Sequence, residues 1–494
     1  MGVVARVTPW LLAFACMDCG APPASVTVND FSDAGPGNCT TTCTLRDAIS
    51  TALASIPPKA VAFSAAAGWP QTIALTQGQL SINNTSGSIF YVFGPGAGNL
   101  AVSANNLTRV LQVLAGSNDI SALTLRDGKV TGASPGTEPG GTGNPGKGGG
   151  AAIGGCIAID ASATLTLELS DVRNCVALGG TGGNGGSGVT NGGSGGTGGT
   201  GGNGGPGGAA TGGGIHVAGN LGLIRSSVVN TSATSGAGGN GGNGGDGTFG
   251  NGAGGNAGSA GVAAGAGVAI ATGGSLLIRN TTLASATASA GNGGNGGNGG
   301  LFNPSGNGGN GGDVTGGLLY SGSSVVVADL EFATLANGTT VAGNGGFPGA
   351  NGSSIGAGGQ PGVARGAGIY GTGPNSVIVA SSVVVGAASS LLCYGSVAID
   401  SGSANLDQDS SCSGFTLHDT FAHVLAPLDV GTTTWPGYTP VFHSSIVNAA
   451  TGCTQIGGAI AVADDQHGTP RPQGSKCDLG AIEADYIFAD GFGT

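Results

Sequence analysis

The sequence predicts an all-β fold: a right-handed parallel β-helix, or solenoid, with an N-terminal capping helix and long glycine-rich loops. Three observations carry this. Short apolar runs punctuated by turn residues recur about every ten residues between Ala60 and Leu125. Farther on, a unit returns about every 50–60 residues: a glycine-rich opening, two short β-runs and a glycine tract. Each unit is too small to bury its own Val, Ile and Leu, so the units must stack to make a core.

Composition sets outer bounds. The 494 residues include 108 glycines and 21 prolines, and only 8% are charged. Thirteen basic against 25 acidic residues leave a net charge of −12. That balance supplies no basic face for nucleic acid and no polybasic membrane anchor. No stretch approaches the roughly 18 apolar residues of a transmembrane helix.

Taken in order, residues 1–24 read as a signal or export segment. Arg6 precedes the apolar run 7–15, which ends in Ala13-Phe14-Ala15, a charged start and a small-residue exit. Pro9 shortens the run and leaves room for a start codon upstream. Cys16 is either a lipidation site, although Ala13 stands where such sites favour a branched residue, or a partner for Cys19.

Residues 25–59 form the N-terminal cap. Thr44-Leu-Arg-Asp47 reads as a Thr-x-x-acid capping box, opening a helix over 44–56 with Leu45, Ile49 and Leu53 on one face. Such a helix closes a coil end that would otherwise expose its core and strand edges. Residues 60–131 form the first coils. Residues 132–400 are β-helix repeats with inserted glycine-rich loops, opening at Gly213-Gly-Ile215, Gly265-Ala-Gly-Val268, Gly316-Gly-Leu-Leu319 and Gly366-Ala-Gly-Ile-Tyr370. Their spacing suggests about twenty residues per turn. Residues 401–484 hold the last coils and a disulfide-bearing terminal module, and 485–494 a short tail.

Ten cysteines, an even number, fall mostly in neighbouring pairs: Cys39 and Cys43, Cys156 and Cys175, Cys393 and Cys412, Cys453 and Cys477. That spacing suits disulfides in an oxidising compartment. Zinc is disfavoured, because no Cys-x-x-Cys pair meets a second pair. Cys156 and Cys175 lie 19 apart, as do Cys393 and Cys412, so at about twenty residues per turn each pair would link adjacent rungs.

Five glycine tracts, near 132–150, 179–214, 236–267, 291–317 and 343–368, run largely as Gly-Gly-X triplets. Two readings stay open. Glycine is costly to order, which favours flexible loops. A period of three also matches the three-residue turn of a polyproline-II-like helix, so successive tracts could pack side by side with X outward. The segments 241–246 and 308–313 half-match a calcium nonapeptide, but Thr248 and Thr315 occupy its large apolar position. No metal or other cofactor is expected.

Polysaccharide cleavage needs paired carboxylates, or an acid cluster with a basic residue. Between Val176 and Gly312 the charged residues are Arg225, Asp246 and Arg279 alone. Asp464, Asp465 and His467 form the densest cluster. Asp400, Asp407, Asp409, His418 and His423 form a looser one, and Asp119, Arg126, Asp127 and Lys129 gather near one turn. All three read as turn or module chemistry, and no nucleophile, zincin or phosphate-loop motif is present. No catalytic residue is assigned.

Two motifs carry a resemblance. Val26-Thr-Val-Asn29, then Cys39 and Cys43-Thr-Leu-Arg-Asp-Ala-Ile49, resembles the Cys-Ser-Leu-Arg-Glu-Ala domain that opens many bacterial surface β-helix proteins. Asp465-Gln-His-Gly-Thr-Pro-Arg-Pro-Gln-Gly474 followed by Cys477-Asp-Leu-Gly-Ala481 and Glu483 resembles the C-terminal choice-of-anchor Q module, where Arg is commoner than His467. The tail Tyr486-Ile-Phe-Ala-Asp-Gly-Phe492 is similar to that of some exported Gram-negative proteins. The resemblance implies an exported protein, extracellular or on the bacterial outer cell surface, with a structural or adhesive role. Extracellular glycans or surface proteins are its expected partners, and low charge with exposed glycine suits self-association. The alternative is a polysaccharide lyase or glycoside hydrolase, which a tight Asp/Arg/Lys cluster on one coil face would favour.

Overall fold

Three columns of inward-facing side chains run the length of the molecule. A computed structural model describes residues 24–35, 39–141, 143–191, 193, 196–322, 327–373, 376–386, 390–429 and 436–484. The export segment with Arg6, Cys16 and Cys19, and the tail 485–494, lie outside the described residues.

The chain is a parallel β-helix. One column stacks Val26, Val61, Val92, Ile120, Leu167, Leu223, Ile278, Leu330 and Val379 in parallel register. A second stacks Leu80, Leu111, Ile157, Ile215, Val268, Leu319, Ile369 and Cys393. The third runs from Ile73 through Val102, Leu125, Val172, Val228, Leu283 and Leu335 to Val384. All are buried, so identical positions of successive turns build one continuous core from units that have none alone.

The turn length differs from the expected twenty residues. One turn takes 31 residues from Leu80 to Leu111, 58 from Ile157 to Ile215, 50 from Leu319 to Ile369 and 24 from Ile369 to Cys393. Each glycine tract is therefore an arm of its own turn. A small parallel ladder, Ala152, Ala210, Ala263, Val314 and Ala364, marks where the return limb of each arm rejoins the coil.

Disulfides join Cys39 to Cys43, Cys156 to Cys175, Cys393 to Cys412 and Cys453 to Cys477. With a 58-residue turn, Cys156 and Cys175 belong to one turn, not to adjacent rungs, and their bond braces two of its faces. Cys393 does reach the segment stacked on it, since its N–H is bonded to Ser411 Oγ next to Cys412.

The N-terminal helix spans Leu45–Leu53, ending before Ile56. Thr44 Oγ1 accepts from Asp47 N and donates to the Asp47 carboxylate. Leu45 and Ile49 close the core beside Leu80 and Ile82. Arg46 pairs with buried Asp33 at 3.0 Å. Asp33 also accepts from the amides of Thr76 and Gln77, which stitches the cap to the first coils.

At the other end the terminal module folds back along the coil. Asn280 donates to the Asp464 carbonyl, Thr282 to Gln466 Oε1, and Ala481 N to Thr334 Oγ1. A second core forms there from Val229, Ala284, Phe332 and Val383 against Tyr438, Ile446 and Leu479. Arg471, paired at 2.7 Å with Glu483 and fully buried, lies over the Phe332 ring.

Candidate interaction surface

The glycine arms are ordered. Each runs out from the coil and returns antiparallel: 132–141 with 143–150, 179–189 with 198–208, 236–245 with 252–261, 291–300 with 306–312, and 343–349 with 356–362. Every limb bonds to neighbours with a period of three. Along the outward limbs, Gly238 N–H goes to the Asn292 carbonyl and Gly241 N–H to that of Asn295. Between limbs, Gly239, Gly242 and Gly245 donate to Gly205, Gly202 and Gly199. Three residues per repeat, with bonds made only to neighbouring chains, describe polyproline-II-like helices packed into a two-layer slab. The flexible-loop reading is thereby replaced by the packed one.

Close approach explains the triplet. A Cβ on Gly241 would sit 1.9 Å from the Gly255 carbonyl oxygen, and one on Gly242 2.2 Å from that of Gly186. Two residues of each triplet therefore face another backbone and must be glycine, while the third faces outward.

That third position is rich in asparagine for a reason of its own. Its outward N–H has no partner within the slab, and a preceding asparagine supplies one. Asn184 Oδ1 accepts from Asn240 N, Asn240 Oδ1 from Asn295 N, and Asn295 Oδ1 from Phe347 N. A matching row on the return face runs from Asn203 through Asn256 and Asn307 to Ala357. Asp313 plays the same part, accepting from Val363 N, which gives its carboxylate a ladder role in the half-matched calcium segment. No group of three or more His, Cys, Asp or Glu suited to a metal occurs among the described residues.

The slab ends deliberately. Gly296 and Gly311 donate to the last arm at Phe347 and Gln360. The equivalent donors of that last arm would be residues 348 and 361, and both are proline. An exposed edge that lacks those two N–H groups is a poorer template for a further layer.

The charged residues singled out in the sequence take structural posts. Asp407 is buried, 2.5 Å from His418 Nδ1, and accepts from Cys412 N. Asp409 accepts from Leu392 N, and Asp400 from Gly457 N. His423 pairs with Asp419. Asp465 binds the amides of His467, Thr469 and Glu483. Asp127 holds Ser103 and Asn174 and pairs with Arg126.

Asp119 does not join that turn. It faces outward between Tyr91 and Thr166 in the strand register, with Glu168 two residues beyond Thr166. Burial, aided by Glu168, pushes Asp119 up to about 7. Burial also raises Glu168, against the pull of Arg225. Arg225 in turn lies 3.9 Å from Asp464 of the folded-back module. Asp329 is pushed up to about 6 by burial, Glu331 and Asp400, with Arg279 opposing. Sequence reading missed this strip because its members lie on different turns, and only the register brings them together.

The described residues thus define a parallel β-helix bearing a lateral polyglycine slab. No family model and no curated protein matches the sequence. Among solved structures the chain is similar to the crystal structure of pectate lyase Pel9A, at 13% identity over 93% of this chain and 97% of that one, with a TM-score of 0.32.

Proposed function

We propose that this is an exported surface protein with a structural or adhesive role, whose β-helix holds the slab as a rigid display face. The observation that carries the reading is the dense internal bonding of the slab. Most of its glycine amides, and the X-position amides that follow an asparagine of the preceding arm, are bonded internally, so rows of asparagine Nδ2 groups are prominent among the donors it offers outward. Neutral amide rows on an inflexible backbone suit extracellular glycans or surface proteins, since little entropy is lost on contact. Four disulfides favour an oxidising compartment, and no helix among the described residues is long and apolar enough to cross a membrane. The two end motifs, which resemble those of bacterial surface β-helix proteins, point the same way.

A second reading, a polysaccharide lyase or glycoside hydrolase, is favoured by one observation: Asp119, Glu168 and Arg225 share an outward coil face, and the carboxyls are raised toward the range of a general acid. One experiment separates the two. The protein is incubated with pectin, alginate, chitin-like and host-type glycans, with and without calcium, and polymer mass is followed by size-exclusion light scattering. Co-elution at unchanged mass supports adhesion. A fall in mass that Asp119→Asn or Glu168→Gln abolishes overturns it in favour of the enzyme. Neither result leaves the structural role, with protein partners to be sought. Protease shaving of intact cells tests the location.

A further inference from the structure

Three consecutive arms end in exposed apolar side chains. Phe249, Leu301, Phe302, Phe347 and Ile355 stand at or beside the tips of the third, fourth and fifth arms and are 72–81% exposed. Among the described residues only Ile56 and Leu107 are large hydrophobics exposed to a similar degree. The three tips are held together, with Phe347 one triplet inboard of Ala350 on the fifth arm. Asn303 donates to the Asn251 carbonyl, Ser353 N to that of Asn303, and Ser305 Oγ to that of Ala350, which binds the three tips to one another. Hydrogen-bonded neighbours of this kind lie about 5 Å apart, so the tip side chains share one edge, and Phe347 extends it inboard.

We propose that this edge is a contact between two copies of the chain, joined tip to tip about a twofold axis. Area is the first argument. An aromatic side chain buries roughly 150–250 Å² when covered, so the three phenylalanines at this exposure offer roughly 350–600 Å², and Leu301 and Ile355 extend this toward the ~800 Å² each partner contributes to a stable interface. Charge is the second. Residues 236–263, 291–315 and 343–363 contain no Lys or Arg, and Asp246 is the carboxylate near the tips. An anionic lipid surface or acidic polymer would find no counter-charge here. Apart from Asp246 and Asp313 the charge lies elsewhere on the molecule, and charges farther apart than about 8 Å are screened at physiological salt. The third is closure. Most slab amides are bonded to neighbouring limbs, and Pro348 and Pro361 take two donors from the last arm's edge, which leaves the tips as the apolar edge able to join copies. An isologous contact uses the same patch on both and stops at two.

The test is sedimentation velocity on the full 494-residue chain, from low to high micromolar concentration, for wild type, Leu301→Asp/Phe302→Asp, and Thr181→Asp. The last adds the same kind of charge near the root of the slab. We expect wild type to move from a 46.3 kDa monomer to a dimer, the tip variant to dimerise roughly thirtyfold or more weakly, and Thr181→Asp to match wild type. Amide exchange across 291–312 reports whether the tip variant keeps the slab. Wild type that stays monomeric overturns the proposal, and flotation of that monomer with zwitterionic vesicles would reassign the patch to lipid. Equal dimerisation of the tip variant with its slab intact, or equal loss in Thr181→Asp, overturns it too.

Discussion

Replacing Gly242 by alanine tests the slab at a point where two limbs meet backbone to backbone. The new Cβ would meet the Gly186 carbonyl oxygen at 2.2 Å and its carbon at 2.6 Å. Both are backbone atoms of a limb fixed on other sides, so limbs 236–245 and 179–189 must part by about 1 Å to reach ordinary contact. Overpacking of this kind costs about 1–3 kcal/mol. Parting also strains the bonds from Gly185 N to the Asn240 carbonyl and from Gly188 N to that of Asn243, at about 1 kcal/mol each. A local loss of about 2–4 kcal/mol corresponds to amide exchange roughly 30- to 1,000-fold faster across 236–261. Native-state exchange with mass spectrometry reads this directly. The sign is diagnostic, because in a flexible loop Gly→Ala would be neutral or stabilising by about 0.4–1 kcal/mol. Wild-type amides exchanging at unprotected rates, or a Gly242→Ala variant no faster than wild type, would refute the packed slab.

Other consequences can be checked separately. Asp119, near 7, and Asp329, near 6, bind protons more tightly folded than unfolded, so their contribution to stability falls as pH rises from about 4 toward 7. Asp119→Asn should flatten the decline of Tm between about pH 4 and 7, and Asp329→Asn that between about pH 4 and 6; a curve parallel to wild type would count against the burial described. Removing the brace with Cys156→Ala/Cys175→Ala should cost about 3 kcal/mol from loop closure over its 19-residue separation, seen as a lower Tm that added reductant does not lower further at that site. Glu483→Gln leaves the Arg471 charge buried without its partner, at about 3–5 kcal/mol. Limited proteolysis should then cut within 436–484 first, and an unchanged digestion pattern would argue that the module is held by its apolar contacts alone.

The coil was legible from the sequence alone. Apolar residues recurring with turn punctuation, a glycine-rich opening repeated at long intervals and the Thr44–Asp47 box are patterns written locally, and a solenoid uses the same local solution on every turn. The triplet period of the tracts was legible too, but not their order. Whether Gly241 and Gly242 need to lack side chains depends on Gly255 and Gly186, which belong to other limbs. Turn length was hidden for a related reason: nothing in a linear repeat says whether a tract leaves the turn or forms part of it. The Asp119–Glu168 strip required the register of two turns. The return of the terminal module required contacts across 184 residues, from Asn280 to Asp464 and from Thr282 to Gln466. Tertiary structure decided these because each is a matter of which distant backbone lies alongside, and hydrogen bonds and excluded volume act on that neighbour rather than on the next residue in the chain.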